Sequence, residues 1–113
     1  MSEDPIAVLR THVRRFNEAV RSRDYSEMLG GFSPDAEMVF EGVPVGPFVG
    51  LKEIAGAYEA QPPDDEVRLL GVPRAQGENV ESEYAWAGDS ERAGRMIVTV
   101  RDGLITRLIV TFE

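Results

Sequence analysis

Few side chains in this sequence are suited to acid–base or nucleophilic chemistry. The chain has no cysteine and one histidine. That residue, His12, could act as an acid or a base near neutral pH, or it could be a partly exposed residue on a helix face. Tyr58 and Tyr84 could donate hydroxyl groups to a ligand carbonyl, or could be core aromatics whose hydroxyls find protein partners. These residue types favour hydrogen bonding and proton transfer over thiolate catalysis.

Composition and charge exclude several classes of protein. Without cysteine, and with one histidine, a transition-metal site would need mostly carboxylates, so we expect no metal. The 20 acidic and 12 basic residues give a net charge of −8 at pH 7, which makes nucleic acid or an anionic membrane an unexpected partner. The acidic segment 1–5 lacks the layout of a signal peptide. No apolar run approaches the ~20 residues that span a bilayer, so we expect a cytoplasmic protein.

These candidate residues need a scaffold, and the hydrophobic pattern predicts three helices within one domain, residues 1–113. Asp4 can cap the first helix, and Pro5 suits its first position. A Gly-Gly pair ends the second helix, and a Pro-Pro pair follows the third. The predicted helices cover residues 5–22, a short segment between Asp24 and Gly30, and residues 51–60.

The second half of the chain reads as strands. Alternating apolar and polar residues are typical of half-buried strands, and Asp102-Gly103 is a strong hairpin signal. Helices first and an antiparallel meander last indicate an α+β domain with the helices packed on one face of a bent sheet. The predicted strands are 36–41, 67–73, 80–87, 95–101 and 104–112, with a turn at 32–35 and a Gly- and Pro-rich loop at 42–50.

The order and spacing of several landmarks in this pattern are similar to those of a known family. The landmarks are Phe16, Asp24, Phe32, Asp35-Ala36, Gly50, Ile54, Tyr58 and the Asp102-Gly103 hairpin. Over residues 6–112 the chain resembles the nuclear transport factor 2-like superfamily, and within it the SnoaL-like and ketosteroid isomerase-like branch. The resemblance implies a cone-shaped, cystatin-like fold, in which a curved antiparallel sheet wraps about three helices and leaves an apolar pocket with one mouth.

The resemblance also allows each catalytic role of ketosteroid isomerase to be sought in this chain. In that enzyme an aspartate moves the proton, while a tyrosine and a protonated aspartic acid hold the enolate oxygen. The two oxygen-holding positions correspond to Phe16 and Met96, so both donors are replaced. The base position corresponds to Phe40 or Glu41, depending on the landmark used. A β-bulge near residue 40 would turn Glu41 into the pocket, and without one Phe40 points inward.

The resemblance implies a pocket wall and an assembly as well. Tyr84, Tyr58 and His12 are candidate hydrogen-bond donors in the pocket. The expected apolar wall is Phe16, Phe32, Met38, Phe40, Phe48, Trp86, Met96 and Val98. Many members pair through the outer face of the sheet, which implies a homodimer here. The residues on that face would be Ile97, Thr99, Ile109 and Thr111, and their alternative is partial burial under a loop.

Three functions remain open from the sequence. The first is a cofactor-independent isomerase, dehydratase or cyclase acting by proton transfer on a hydrophobic carbonyl compound, with Glu41 as the base. The second is a non-catalytic module that binds an apolar ligand, and the third is a dimeric scaffold. The side of the sheet on which Glu41 lies discriminates between them, because a carboxylate in an apolar cavity is costly unless it has a use.

Overall fold

The computed structural model describes residues 4–113, and its three helices lie where the sequence predicts them. Helix α1 spans Pro5–Ser22, α2 spans Ser26–Leu29, and α3 spans Leu51–Ala60. At the start of α1 the Asp4 carboxylate accepts a hydrogen bond from the Ile6 amide at 3.0 Å, which confirms the predicted cap. The helix ends where Arg23 adopts a left-handed backbone conformation with a φ of 67°.

Six strands form one curved mixed sheet in the order β2-β1-β6-β5-β4-β3. The resemblance implied an antiparallel sheet, but the first and last strands in the chain, β1 and β6, pair in parallel, so the sheet is mixed. All other pairs are antiparallel. This parallel pair is what joins the N-terminal half to the meander. The strands are Phe32–Glu41 (β1), Phe48–Val49 (β2), Val67–Gln76 (β3), Asn79–Trp86 (β4), Gly94–Arg101 (β5) and Leu104–Thr111 (β6).

The main departure from the predicted elements is at the start of β1. The sequence predicts a turn over residues 32–35, but the structure extends the strand back to Phe32. The pairing with β6 shifts register between Phe32 and Glu37, so an irregularity in the ladder accommodates the Pro-Asp pair that suggested a turn. The predicted loop at 42–50 also contains the two-residue strand β2, which pairs with Glu37 and Met38.

The helices cover the concave face of the sheet. The apolar stripe of α1 packs against β3, β4 and β5, while α3 packs against β1 and β2. Inward side chains of the central strands are almost inaccessible: Val98 is 0% exposed and Leu108 is 1% exposed. Burial of this face supplies the main favourable contribution to folding.

The convex face carries charged side chains. The Arg95 guanidinium lies 2.8 Å from the Glu81 carboxylate and 3.2 Å from that of Glu113, and Arg107 lies 3.1 Å from Glu37. Among the residues expected on this face, Ile97 and Ile109 are half-buried and pair directly across β5 and β6. The Thr111 hydroxyl is buried and donates to Glu113 at 2.6 Å.

Candidate functional site

A cavity of about 830 Å³ lies between the helices and the concave face of the sheet. Its inner wall is apolar and aromatic, as expected for a small-molecule site. Six of the predicted wall residues line it, together with all three candidate hydrogen-bond donors. These nine residues are Phe16, Met38, Phe40, Phe48, Trp86, Met96, His12, Tyr58 and Tyr84.

The mouth of the cavity lies between the loop that follows β1 and one face of α3. Val43 and Val45 in the loop are 37% and 42% exposed, and both line the cavity. On the opposite side, Gly56 lines the cavity and is exposed, and a Cβ atom added to it would meet nothing within 4 Å. The mouth is therefore open at Gly56, and Val43 and Val45 make the loop side of its rim apolar.

Tyr58 offers a weakly engaged hydroxyl to this cavity. The hydroxyl donates to the Met38 sulfur at 3.6 Å, and a thioether is a weak acceptor. Its ring stacks on Tyr25 at 5.0 Å and meets Phe16 edge-on at 6.5 Å, so its position is held by aromatic packing. Burial, with a smaller contribution from Tyr25, raises the pKa of Tyr58. The group is therefore a protonated donor at neutral pH.

Tyr84 lines the same cavity, but its hydroxyl already makes a hydrogen bond within the protein. It donates to the backbone carbonyl of Thr111 at 2.9 Å, and the side chain is 0% exposed. Burial and, to a smaller extent, the Glu113 carboxylate raise the pKa of Tyr84 to about 12. Using this hydroxyl to hold a ligand oxygen would leave the Thr111 carbonyl without that bond. Tyr84 therefore shapes the wall and ties β4 to the end of β6.

His12 is a buried, neutral residue of the inner wall. It is 5% exposed, which excludes the partly exposed alternative, and it meets Phe32 edge-on at 5.4 Å. Burial, with a smaller contribution from the Arg15 guanidinium, lowers the pKa of His12 to about 4. At neutral pH its imidazole presents one donor and one acceptor nitrogen. Since it also lines the cavity, it is a polar group within reach of a ligand.

The structure places Phe40, and not Glu41, in the cavity. Pairing of β1 with β6 is regular from Glu37 to Glu41, and the register shift lies upstream, so no bulge turns Glu41 inward. Phe40 lines the cavity and packs against Phe48 and Phe112 at 6.2 and 6.1 Å. Glu41 is exposed and lies outside the cavity wall. The hypothesis that Glu41 is a pocket base therefore lacks the geometry it requires.

Two predicted wall residues belong to the core instead. Phe32 is 3% exposed, packs against His12 and does not line the cavity. Val98 lies in the middle of β5, paired with Val80 and Leu108, and is completely covered. The alternation of side chains along β5 correctly places Val98 on the inner face. The position of an inward residue along its strand then decides whether it lines the cavity or packs against a helix.

Sequence reasoning missed the polar group at the mouth, Glu53. Its Oε1 atom accepts a hydrogen bond from the Val49 amide at 2.8 Å, and the residue lines the cavity. Glu53 stands at the third position of α3, where a glutamate commonly reaches back to an amide before the helix. A glycine N-cap, Gly50, followed three residues later by glutamate was the signal for this contact.

Within residues 4–113, Glu53 is the only acidic residue of the cavity wall, and no lysine or arginine lines it. The described part of the chain contains no group of three or more histidine or acidic side chains placed to hold a metal ion. None of its helices is long and apolar enough to cross a bilayer.

Solved structures of other proteins share this architecture. One, from Agrobacterium tumefaciens, is described as a "putative isomerase of the SnoaL-like family"; it has 19% identity and a TM-score of 0.73, over 95% of each chain. A "putative ketosteroid isomerase" from Kribbella flavida has 17% identity and a TM-score of 0.65, over 96% of this chain and 79% of that one. A "putative polyketide cyclase" from Xanthomonas campestris has 19% identity and a TM-score of 0.61, over 97% and 93%.

At such identities these similarities establish the fold, which is the predicted nuclear transport factor 2-like, cystatin-like α+β fold. The chain belongs to the family of SnoaL-like domains, whose family model matches residues 13–108. Among curated proteins, none matches this sequence.

Proposed function

We propose that this protein binds a small, mainly apolar molecule with a carbonyl group in the cavity. The observation that carries the proposal is Tyr58, which lines an apolar cavity of about 830 Å³ and whose buried hydroxyl donates to a weak acceptor, the Met38 thioether. A ligand carbonyl is a stronger acceptor than sulfur, so it can take over this hydrogen bond. The apolar wall provides the remaining affinity by burial.

The names of the structural neighbours support a carbonyl ligand. They are described as isomerases and a polyketide cyclase, and carbonyl groups are what a ketosteroid isomerase and a polyketide cyclase act on. The resemblance places Phe16 and Met96 at the two oxygen-holding positions, and neither can donate a hydrogen bond from its side chain. Tyr58 is a hydroxyl donor in the same wall. The proposal therefore keeps the ligand class of those neighbours without their full set of catalytic groups.

Proton transfer on the bound carbonyl compound is the second candidate function, and His12 is the observation that favours it. A neutral imidazole in the wall can accept a proton from the carbon next to a carbonyl. Its lowered pKa makes it a weak base. Since loss of one preorganised oxyanion donor costs about 100-fold or more in rate, we expect slow turnover. The reaction class would be that of an isomerase or a cyclase, with no cofactor.

The first experiment measures binding of prodan, a neutral naphthyl ketone whose emission shifts to the blue in apolar surroundings. We expect saturable binding to the wild-type protein. Gly56→Trp should fill the open mouth and weaken binding by at least about tenfold, or 1.4 kcal/mol. Gly56→Ala is the matched control, because a Cβ atom there has free space. Equal binding to Gly56→Trp would place the ligand elsewhere.

A second pair of variants tests the donor. Tyr58→Phe removes the weakly engaged hydroxyl and should weaken prodan binding about three- to tenfold, the value of one net hydrogen bond. Tyr84→Phe removes a hydroxyl that serves Thr111, so it should lower stability and leave prodan affinity unchanged. If the two variants bind prodan equally well, Tyr58 is not the ligand's donor.

Proton transfer can be followed with the same ligand. In deuterium oxide, NMR of bound prodan reports exchange of the methylene protons beside its carbonyl. Catalysis predicts faster exchange with the wild-type protein and the uncatalysed rate with His12→Gln, at unchanged prodan affinity. Wild-type exchange at the uncatalysed rate would leave ligand binding as the function.

We also propose that the protein is a homodimer joined through the convex face. The paired, half-buried Ile97 and Ile109 offer an apolar centre there, and the ion pairs of Arg95 and Arg107 surround it with polar groups. Light scattering should give twice the monomer mass, and Ile97→Arg should give the monomer mass. A monomeric wild-type protein would contradict the proposal.

A further inference from the structure

We propose that the cavity selects its ligand by charge: it admits neutral and cationic molecules, excludes anions, and holds a cationic group at the mouth beside Glu53. This inference rests on the proposed ligand-binding function and adds the charge of the ligand to it. Three features of the described residues carry it: the lack of a positive group in the wall, the position of Glu53, and the open space next to that carboxylate.

The interior offers no positive charge to an anion. Within residues 4–113, neither lysine nor arginine lines the cavity, and the one imidazole there is His12, which burial keeps neutral at pH 7. A ligand carboxylate would lose its hydration and would find uncharged donors there, on Tyr58, His12 and Gln61. Burying a charge with so little compensation is costly. A ligand carbonyl carries no charge and needs only one of these donors.

The Glu53 carboxylate gives the mouth a negative charge, and no ion pair in the described part of the chain neutralises it. The Oε1 atom of Glu53 accepts the hydrogen bond from the Val49 amide, and its second carboxylate oxygen has no protein partner in residues 4–113. No ion pair within that range includes Glu53, although several arginines pair with other glutamates. A cation arriving at the mouth therefore gains a charge-assisted hydrogen bond without displacing an arginine.

The space beside this carboxylate is free. Gly56 follows Glu53 by three positions on α3, so both lie on the same side of the helix, and both line the cavity. A glycine leaves room at the mouth for a ligand group next to the carboxylate. The net charge of −8 acts in the same direction at longer range, since it attracts cations and repels anions.

The test uses three ligands that share a rigid adamantane cage and differ in their polar group: aminoadamantane, adamantanol and adamantane carboxylate. Each displaces prodan at neutral pH and low salt. We expect the amine to bind about two- to fivefold more tightly than the alcohol, the value of a partly exposed ion pair. The carboxylate should bind at least about tenfold more weakly than the alcohol. Added salt should reduce the preference for the amine.

Glu53→Gln separates the local carboxylate from the overall charge. Glutamine keeps a side-chain oxygen for the Val49 amide, so the start of α3 is preserved. The variant should lower amine affinity to that of the alcohol and leave alcohol affinity unchanged. Glu59→Gln is the matched control, because it removes the same charge from the same helix at an exposed position outside the cavity wall. It should retain the preference for the amine.

Each result has a distinct meaning. Carboxylate binding as tight as alcohol binding would overturn the exclusion of anions, and equal loss of amine affinity in both glutamine variants would overturn the role of Glu53. In either case prodan would still bind and the proposed function would stand. If neither prodan nor any adamantane ligand binds, the proposed function itself is wrong.

Discussion

The two faces of the sheet differ in burial and charge. On the concave face, Tyr84 and Leu108 are buried, and the cavity wall is nearly free of charge. On the convex face, Arg95 bridges Glu81 and Glu113, with side chains that are one-third to nearly one-half exposed. Exposed ion pairs contribute little to stability, whereas buried apolar groups contribute most of it. Stability and the candidate site are therefore concentrated on one face.

Phe40 and Glu41 show that adjacent residues can lie on the two different faces. They are neighbours on β1, yet one lines the cavity and the other is exposed on the opposite face. Successive side chains of a strand point to opposite faces, so a shift of one residue would exchange them. The register with β6 decides which of the two meets a ligand.

The largest expected effect comes from truncating the concave face. Leu108→Ala should lower the free energy of unfolding by about 2–5 kcal/mol, because it leaves a cavity in a closely packed layer. Arg107→Ala, the adjacent residue on the convex face, should cost at most about 1 kcal/mol, since its pair with Glu37 is exposed. Urea unfolding measures both. Equal costs would mean that the two faces do not differ as described.

The second prediction concerns pH and the buried imidazole. The pKa of His12 is lowered from 6.5 to about 4, so between these values the unfolded chain takes up a proton that the folded protein excludes. Stability should therefore fall as the pH drops through this window, by about 3 kcal/mol in total.

His12→Gln provides the control for this pH dependence, because it retains the contributions of the carboxylates. The wild-type protein should lose more stability than this variant between pH 7 and pH 4 in urea titrations. Parallel pH profiles for the two proteins would show that His12 titrates normally and is solvated.

The third prediction concerns Phe40 and Glu41, the adjacent residues on β1. Phe40→Ala should lower stability by about 2 kcal/mol, less than a fully buried phenylalanine, because Phe40 is half-buried. It should also change prodan affinity, since it removes part of the wall. Glu41→Gln should change neither quantity. A loss of prodan binding or of proton exchange in Glu41→Gln would restore the carboxylate to the site.

The smallest expected effect is at the mouth of the cavity, where Gly56 lies on α3 and belongs to neither face of the sheet. Gly56→Ala should raise stability by about 1 kcal/mol, because alanine is favoured over glycine inside a helix and its Cβ atom meets nothing. Thermal unfolding measures the change. A destabilised variant would indicate that the mouth is narrower than the structure shows.

Local patterns were sufficient for most of the fold. The cap at Asp4, the end of α1 at Ser22 and the whole of α3 follow from local sequence signals. Local patterns were insufficient at β1, where a Pro-Asp pair indicated a turn and the pairing with β6 extended the strand to Phe32. That pairing joins residues about 70 positions apart, which no local window can contain.

The candidate site was predictable in composition but not in detail. Most of the predicted aromatic and apolar wall residues line the cavity, because inward positions follow from the period of each strand or helix. The hydrogen-bond partner of each polar group could not be predicted from the sequence. Tyr58 and Tyr84 look alike in the sequence, but one hydroxyl faces a thioether and the other serves the Thr111 carbonyl.

The sequence by itself determined the three helices, most of the strands, the family and the apolar character of the inner face, because these depend on residue type and short-range spacing. Only the tertiary structure decided that Phe40 lies inside and Glu41 outside, that His12 is buried and neutral, and that Glu53 stands at the mouth. Each of these depends on strand register or on desolvation by distant segments. Both arise when the chain packs, and neither is a property of the residue alone.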